Sequence, residues 1–383
     1  MRYWNSILVI IIVLLAAACQ ATPTQVDPMD APNRVTNTPV NSIATKTPQP
    51  EPTGTPFPTP SPTVTVTSTA TIEPRTTLLF TGVIVPARCV QAALDANGNP
   101  DYPYEEVSTV IQNADLAVGT LNATMSDYAP RTGCKPTYVL VGSPQNADAL
   151  SRAGFDVMSV ATNHIKNCGL TNCGDRAFFD TLDNLRRVNI LPVGAGKDHD
   201  EAMQPVVVQV NGIRFGIVSL GQIEAMAFAS ENSPGIAILN EENLKNAVNE
   251  ARKVADVVIV MPHWGPEDVA VPNWIQRDLA NNIVDAGADL VVGNHTHVVQ
   301  AIQEIKGIPV FYGLGNFVFD QGLRDHRQGV ILLVHFEGTR FAGYDLIPTH
   351  VDPDGRVHIA DPDEAQEILQ RIEQASETIA PGQ

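Results

Sequence analysis

The chain has 383 residues, 44% of them hydrophobic, so it can bury a sizeable core and is neither collagen-like nor wholly disordered. Its 42 acidic residues against 24 basic ones give a net charge of −18. That excludes an electrostatic nucleic-acid binder and argues against adhesion to anionic lipid through protein charge.

The first element is a targeting segment. Arg2 supplies a positive start, and Ile7 to Ala18 is an unbroken apolar run too short to span a bilayer as a stable helix. The stretch Leu14-Leu15-Ala16-Ala17-Ala18-Cys19 resembles a bacterial lipobox, with Ala16 where Leu is usual. The resemblance implies a signal peptide over 1–18, cleavage before Cys19 and lipidation of its thiol. Such a chain is anchored to the outer face of the cell membrane. Residues 19–75 are dominated by Thr and Pro, with Phe57 the only aromatic. They cannot bury enough surface to offset ordering and are expected to form an extended tether.

The texture changes at Thr76. Leu78 to Val85 reads as a strand, and Ala114 to Val118 begins another. Ser143-Pro144 opens a helix to about Ala153, before a strand over Phe155–Val160 and a helix near Arg176–Arg187. Asn211-Gly212 between two apolar runs, Pro205 to Leu220, signals a hairpin. Helices are expected at Glu241–Lys253 and Asn273–Ala286, and strands at Val257–Met261, Leu290–Val292 and Val310–Tyr312. Hairpin-like strands follow from Gly329 to His350, and Pro362–Gln374 reads as an amphipathic helix. Alternating helices and strands plus hairpins argue for an α/β fold with a mixed sheet or two packed sheets. The globular domain is placed at 76–350, with a hairpin end, helix and tail over 351–383.

Four cysteines follow Cys19. Their even number in an exported chain suggests two disulfides. The close pair Cys168–Cys173 can close a short loop, which leaves Cys89–Cys134. A zinc site built from all four thiolates is the alternative, weakened by the absence of CxxC spacing.

Ligands in such folds bind beyond the carboxyl ends of strands. Four loops bring His and Asn to those ends: Asn163-His164, His263-Trp264-Gly265, Asn294-His295-Thr296-His297, and Gly315-Asn316. Imidazoles and amide oxygens converging from several loops suit a transition-metal pocket. His199, His326, His335, His350 and His358 lack this placement and read as ordinary residues.

These stretches carry a resemblance. Ala153-Gly154-Phe155-Asp156-Val157 leading to Ala161-Thr162-Asn163-His164, Pro262-His263-Trp264-Gly265-Pro266-Glu267, Gly293-Asn294-His295-Thr296-His297 and Gly313-Leu314-Gly315-Asn316-Phe317-Val318-Phe319-Asp320-Gln321 occur in family order. The chain resembles the CapA family of capsule-synthesis or poly-γ-glutamate biosynthesis proteins, over roughly residues 78 to 330. The resemblance implies a calcineurin-like metallophosphatase fold: two packed mixed sheets flanked by helices, an αββα sandwich. By the family template Asn163, His263, His295 and His297 are metal ligands. His164 and Glu267 take catalytic roles, Asn316 lines the substrate cleft, and Trp264 either lines it or packs in the core.

Three acidic positions of the family pattern are replaced, by Val83, Asn122 and Asn167, and Thr120 stands where Asn is usual. Carboxylates bridge two ions and balance their charge. Without them two expectations stand: one divalent transition metal, Zn, Mn or Fe, or no metal at all. Three functions follow. The first is a membrane-anchored, extracytoplasmic protein of capsule or poly-γ-glutamate assembly, with a surface polymer or capsule-assembly proteins as partners and no nucleic acid. The second is a metal-dependent hydrolase of phosphoester or amide-linked polymer. The third is a non-catalytic polymer-binding module, whose basic patch would come from Arg88, Arg131 and Lys135.

Overall fold

The computed structural model of the chain describes residues 75–168, 173–223 and 225–380. The expected signal peptide, Cys19 and the tether up to residue 74 lie outside the described residues.

Two mixed sheets carry the fold. In the eight-stranded sheet, Arg75–Ile84 is central. On one side it pairs in parallel with Leu116–Leu121, followed by Val157–Ser159 and Leu191–Val193. On the other it pairs antiparallel with Gln328–Glu337, followed by Arg340–Val351 and Val357–Ile359. The short strand Asn316–Val318 joins the end of Arg75–Ile84 in parallel. In the six-stranded sheet, Ile213–Gly221, Val257–His263, Leu290–Val292 and Ile308–Phe311 run parallel. Antiparallel Val206–Val210 and Ile302–Ile305 close its edges.

The sheets pack face to face because each strand alternates two apolar faces. Leu78 and Phe80 share one core with Phe215, Ile217, Ile259 and Val292 of the other sheet. Leu79, one residue along, belongs instead to the core shared with Leu150 and Phe178 of helices Gln145–Ala153 and Gly174–Arg187. Val258 and Val260 meet Leu244 and Val248 of helix Glu241–Val254 and Ile283 of helix Trp274–Asp285. Each such buried aliphatic contributes roughly 1.5–3 kcal/mol. The layering is helix, sheet, sheet, helix, the αββα sandwich expected.

Local signals set the boundaries. Asn211 and Gly212 turn the hairpin with φ of 51° and 85°. The side chain of Asn240 caps helix Glu241–Val254, and Asn273 with Gln276 forms a capping box on Trp274–Asp285. The helix expected to begin at Pro144 begins at Gln145, and the C-terminal helix runs Pro362–Thr378, past Gln374. Helix Arg88–Asn97 was not foreseen, since Ala87 at its N-cap offers no capping side chain. Cys89–Cys134 and Cys168–Cys173 are disulfides, so these four cysteines offer no thiolates for zinc.

Candidate metal centre

The four candidate histidines lie at or just beyond the ends of parallel strands. Asn163 and His164 come after Val157–Ser159, His263 ends Val257–His263, and His295 and His297 come after Leu290–Val292. Asn163, His263, His295 and His297 are all buried, none more than 7% exposed. The loops are held in unusual backbone: φ is 103° at His295, 60° at His297, 65° at Asp268 and 51° at Arg88. Each such non-glycine conformation costs about 1–3 kcal/mol and persists only where its surroundings enforce it.

The hydrogen bonds assign the protons, starting from backbone groups whose roles are fixed. The His164 backbone N–H donates to Asn122 Oδ1 at 2.9 Å, so the Asn122 amide N–H donates to Asn163 Oδ1, also at 2.9 Å. Asn163 Oδ1 lies 3.0 Å from His263 Nε2, which lies 3.2 Å from His295 Nδ1. With no ion between them, His263 Nε2–H donates to both. His295 then carries its proton on Nε2, which faces Glu267 Oε1 at 3.9 Å. On the other side, Asn316 Nδ2 donates to the His326 carbonyl at 2.8 Å, so Asn316 Oδ1 accepts from His297 Nδ1–H at 2.8 Å. The bare Nε2 of His297 thus faces Glu267, 3.9 Å away.

Two overlapping donor sets result. One is Asn163 Oδ1, His263 Nε2 and His295 Nδ1. The other is Glu267, His295 and His297, whose ligand atoms all lie within 4.8 Å of one another. Ligand atoms about 2.0–2.2 Å from one ion stand at such separations. The first set meets His295 Nδ1 and the second its Nε2, so they are two separate seats on opposite edges of one ring, with Glu267 the one carboxylate in either.

They do not fit a carboxylate-bridged pair. Val83 is an apolar side chain with no exposed surface. Asn122 is spent on the relay, and the Asn167 amide contacts His164 Nδ1 and donates to the Tyr138 carbonyl. Asp320 is no substitute: Arg88 grips it with Nε and Nη2, and the Cys89 backbone N–H donates to it at 2.9 Å. Glu267, half-exposed, is the one carboxylate against the histidines among the described residues.

Burial sets the charge state of the imidazoles. Burial first, then the His297 ring and the Arg88 guanidinium, brings His164 down to about 4. Burial, then His297 and His164, brings His295 to about 3, and burial drives His263 well below the ordinary range. His297 is lowered by burial, against the opposing hydrogen bond it donates to Asn316 and the charge of Glu267. All four are neutral at neutral pH, the form in which imidazole serves as a ligand. His263 Nδ1 is buried without a partner. Metal-binding histidines normally donate that second N–H to a carboxylate or carbonyl. The missing support weakens this site.

Trp264 does not line the cleft. It is fully buried beneath the second sheet's helices, stacked on Tyr312, with its indole N–H donating to the Tyr312 carbonyl at 2.9 Å. It directly follows His263, the last residue of its strand, and the alternation of the strand sends it to the opposite face. Asn316 is buried too, and its side chain orients His297 rather than meeting a substrate. Three contributors were not foreseen as site residues. His326 anchors Asn316 and lies 2.7 Å from Asp268 Oδ1 through its ring. Tyr138 stacks on His164, centroids 6.3 Å apart at 3°. Phe319 bridges His297 and Arg88. No spacing rule in the sequence joins these to the histidine loops.

The family described as "Bacterial capsule synthesis protein PGA_cap" matches residues 77–321. The chain is 30% identical to the capsule biosynthesis protein CapA of Bacillus anthracis, across 72% of this chain and 68% of that one. It is 29% identical to the PGA biosynthesis protein CapA of Bacillus subtilis (strain 168), across 71% and 70% respectively. Among solved structures, a novel phosphatase of Mycoplasma pneumoniae is 12% identical, covering 73% of this chain and 96% of that chain, with a TM-score of 0.46. The 5'-nucleotidase precursor of Thermus thermophilus is 16% identical, covering 78% and 58%, with a TM-score of 0.45. Structural likenesses this distant carry nothing about activity.

Proposed function

Since the chain belongs to the bacterial capsule synthesis family PGA_cap, we propose that it works outside the cytoplasm in the synthesis or export of capsule polymer or poly-γ-glutamate. One observation carries this reading: the family match over 77–321 contains Asn163, His164, His263, Glu267, His295 and His297. In this reading lipidated Cys19 anchors the chain to the cell membrane, and the Thr/Pro-rich segment holds the globular part away from it. Its partners are the polymer or the proteins that assemble it.

The pocket takes at most one divalent transition ion, held against His295 by Asn163 and His263 or by Glu267 and His297. Such an ion supplies Lewis acidity and acidifies bound water. Its charge is met by Glu267 alone, which favours weak binding. A non-catalytic, polymer-binding pocket is the second reading. It is favoured by the Asn122 relay, which satisfies Asn163 and His263 Nε2 without any ion.

Deletion and complementation test the reading. Loss of the chain is expected to remove most cell-associated acidic polymer, restored by the wild type and not by Cys19→Ala. Unchanged polymer on deletion would refute it. Elemental analysis of the wild type beside His295→Ala separates the two pocket readings. Bound ion lost in the variant supports the single-ion pocket and makes hydrolase assays worthwhile. No ion in either, even after reconstitution with Zn, Mn or Fe, leaves the binding pocket.

A further inference from the structure

Arg88 stands where a chain of net charge −18 would need a cation if it is to meet an acidic polymer. Its guanidinium is built in rather than swinging free. Nε donates to Asp320 Oδ1 and Oδ2 at 3.0 and 3.2 Å, Nη2 reaches Oδ1, and Nη1 donates to the Thr137 carbonyl at 3.0 Å. The plane lies over Phe319, 4.9 Å from the ring centroid. The same ring lies 5.4 Å from His297. Arg88 is therefore one side chain removed from the histidine pocket.

Its fixation is costly. Arg88 holds φ at 51°, and its side chain is only 13% exposed over an Asp320 that is 3% exposed. A pair this dehydrated adds little net stability over an apolar substitute of similar shape. It does fix orientation. Arginine has five N–H donors. Asp320 and Thr137 take three, which leaves one on Nη1 and one on Nη2 without a partner among the described residues. Each of these N–H groups is a charged donor for a carboxylate oxygen.

A disulfide-tied loop packs against Arg88. The loop from Asp127 to Val139 is tied to Arg88's helix by Cys89–Cys134. It brings the Thr137 carbonyl to Arg88, and the exposed ring of Tyr138 onto His164. Of the other basic candidates, Arg131 is already paired with Asp95 and Asp127, while exposed Lys135 has no ion pair among the described residues. Asp320 balances Arg88's charge and Glu267 stands half-exposed beside the histidines, so an anion here would be held by the directed N–H groups of Arg88 rather than by a net positive field.

We propose that Arg88, locked by Asp320 and the Thr137 carbonyl, is the specificity-determining residue that takes a carboxylate of the polymer at the mouth of the histidine pocket. This rests on the polymer reading above. Asp320 acts as a positioning residue that aims the guanidinium.

The test uses the full chain in detergent and calorimetric titration at one ionic strength. The probes are a short γ-linked glutamate oligomer, the same oligomer with its side carboxyls methyl-esterified, and inorganic phosphate. The wild type is expected to prefer the free acid over the ester by about tenfold or more, the usual effect of charged hydrogen bonds. Arg88→Gln is expected to bring that preference close to one while leaving ester binding in place. Arg88→Lys keeps the charge without the fork and should fall between. The acid-to-ester ratio is an internal control, because a misfolded variant loses both ligands. If Arg88→Gln loses both, the ratio in Arg88→Lys and in Asp320→Asn decides. A preference equal to the wild type's in those variants overturns the assignment. A full preference retained in Arg88→Gln overturns it too and leaves the polymer reading intact. A wild type that ignores both oligomers removes the polymer reading and the proposal with it. A wild type that binds phosphate through Arg88 but not the oligomer overturns the carboxylate assignment.

Discussion

At the scale of single residues, Asn122 decides what the pocket is. Its amide gives one N–H to Asn163 and takes one from the His164 backbone, so it fits an arrangement without an ion. A carboxylate there would set an oxygen 2.9 Å from Asn163 Oδ1 with no proton between. Asn122→Asp is therefore expected to destabilise the ion-free protein by about 1–3 kcal/mol, the cost of an unsatisfied buried polar contact. The same change supplies a negative charge beside Asn163 and His263, which draws a divalent ion. Thermal melts with chelator and with added zinc or manganese check both halves. The variant should melt below the wild type in chelator and gain more from the ion. A variant that melts like the wild type in both would show that Asn122 does not govern the pocket.

At the scale of elements, the strand Val357–Ile359 shows a pH-dependent contact at a residue expected to be ordinary. His358 Nδ1 lies 2.8 Å from Glu106 and Nε2 lies 2.8 Å from Asp352. Both nitrogens must carry protons to satisfy both carboxylates, so the ring is held as imidazolium. Burial pushes its pKa down, but hydrogen bonds to Asp352 and Glu106 outweigh burial and raise it above 6.5. Arg356 meets Glu105 and Glu106 from the same strand end, and Arg327 and His350 meet Asp352. The folded pKa exceeds the unfolded one, so the stabilisation is complete below about 6.5 and fades as pH rises through the folded value. Melts of the wild type and His358→Gln at pH 5.5 and pH 9 give the check. The gap between them should be clear at the lower pH and small at the higher. An equal gap at both would mean the ring acts by packing alone.

At the scale of the whole molecule, the elements that carry their own signals were legible and those that depend on partners were not. The Asn211-Gly212 hairpin, the capped helix at Asn273 and the apolar strands Val257–His263 and Leu290–Val292 were readable because each satisfies its local chemistry alone. The histidine loops were legible because each follows such a strand. Asn316–Val318 and Arg88–Asn97 were not, since the first gains its hydrogen bonds from the distant Arg75–Ile84 and the second has no capping side chain. The fate of Trp264 and Asp320 was equally invisible, because Tyr312 and Arg88 are brought to them only by the tertiary fold. The loop from Asp127 to Val139 belongs to the same class. It is tied down by Cys89–Cys134, a link across 45 positions, and by side chains outside any strand or helix of its own. Closing a loop of that length removes about 4 kcal/mol of chain entropy from the unfolded state, against about 2 for a five-residue span such as Cys168–Cys173. Cys89→Ala/Cys134→Ala is therefore expected to lower Tm more than Cys168→Ala/Cys173→Ala. The two sheets hold each other through a core that neither disulfide enters, so mild reduction should free the loop before the fold. Limited trypsin digestion is the check, because the Arg131–Thr132 bond lies within that loop, while Lys135 precedes Pro136 and is not cut. Reduced protein should be cut there first, with the remainder protected. Cutting that starts elsewhere, or at equal rates in oxidised and reduced protein, would show that the disulfide does not hold the loop in place.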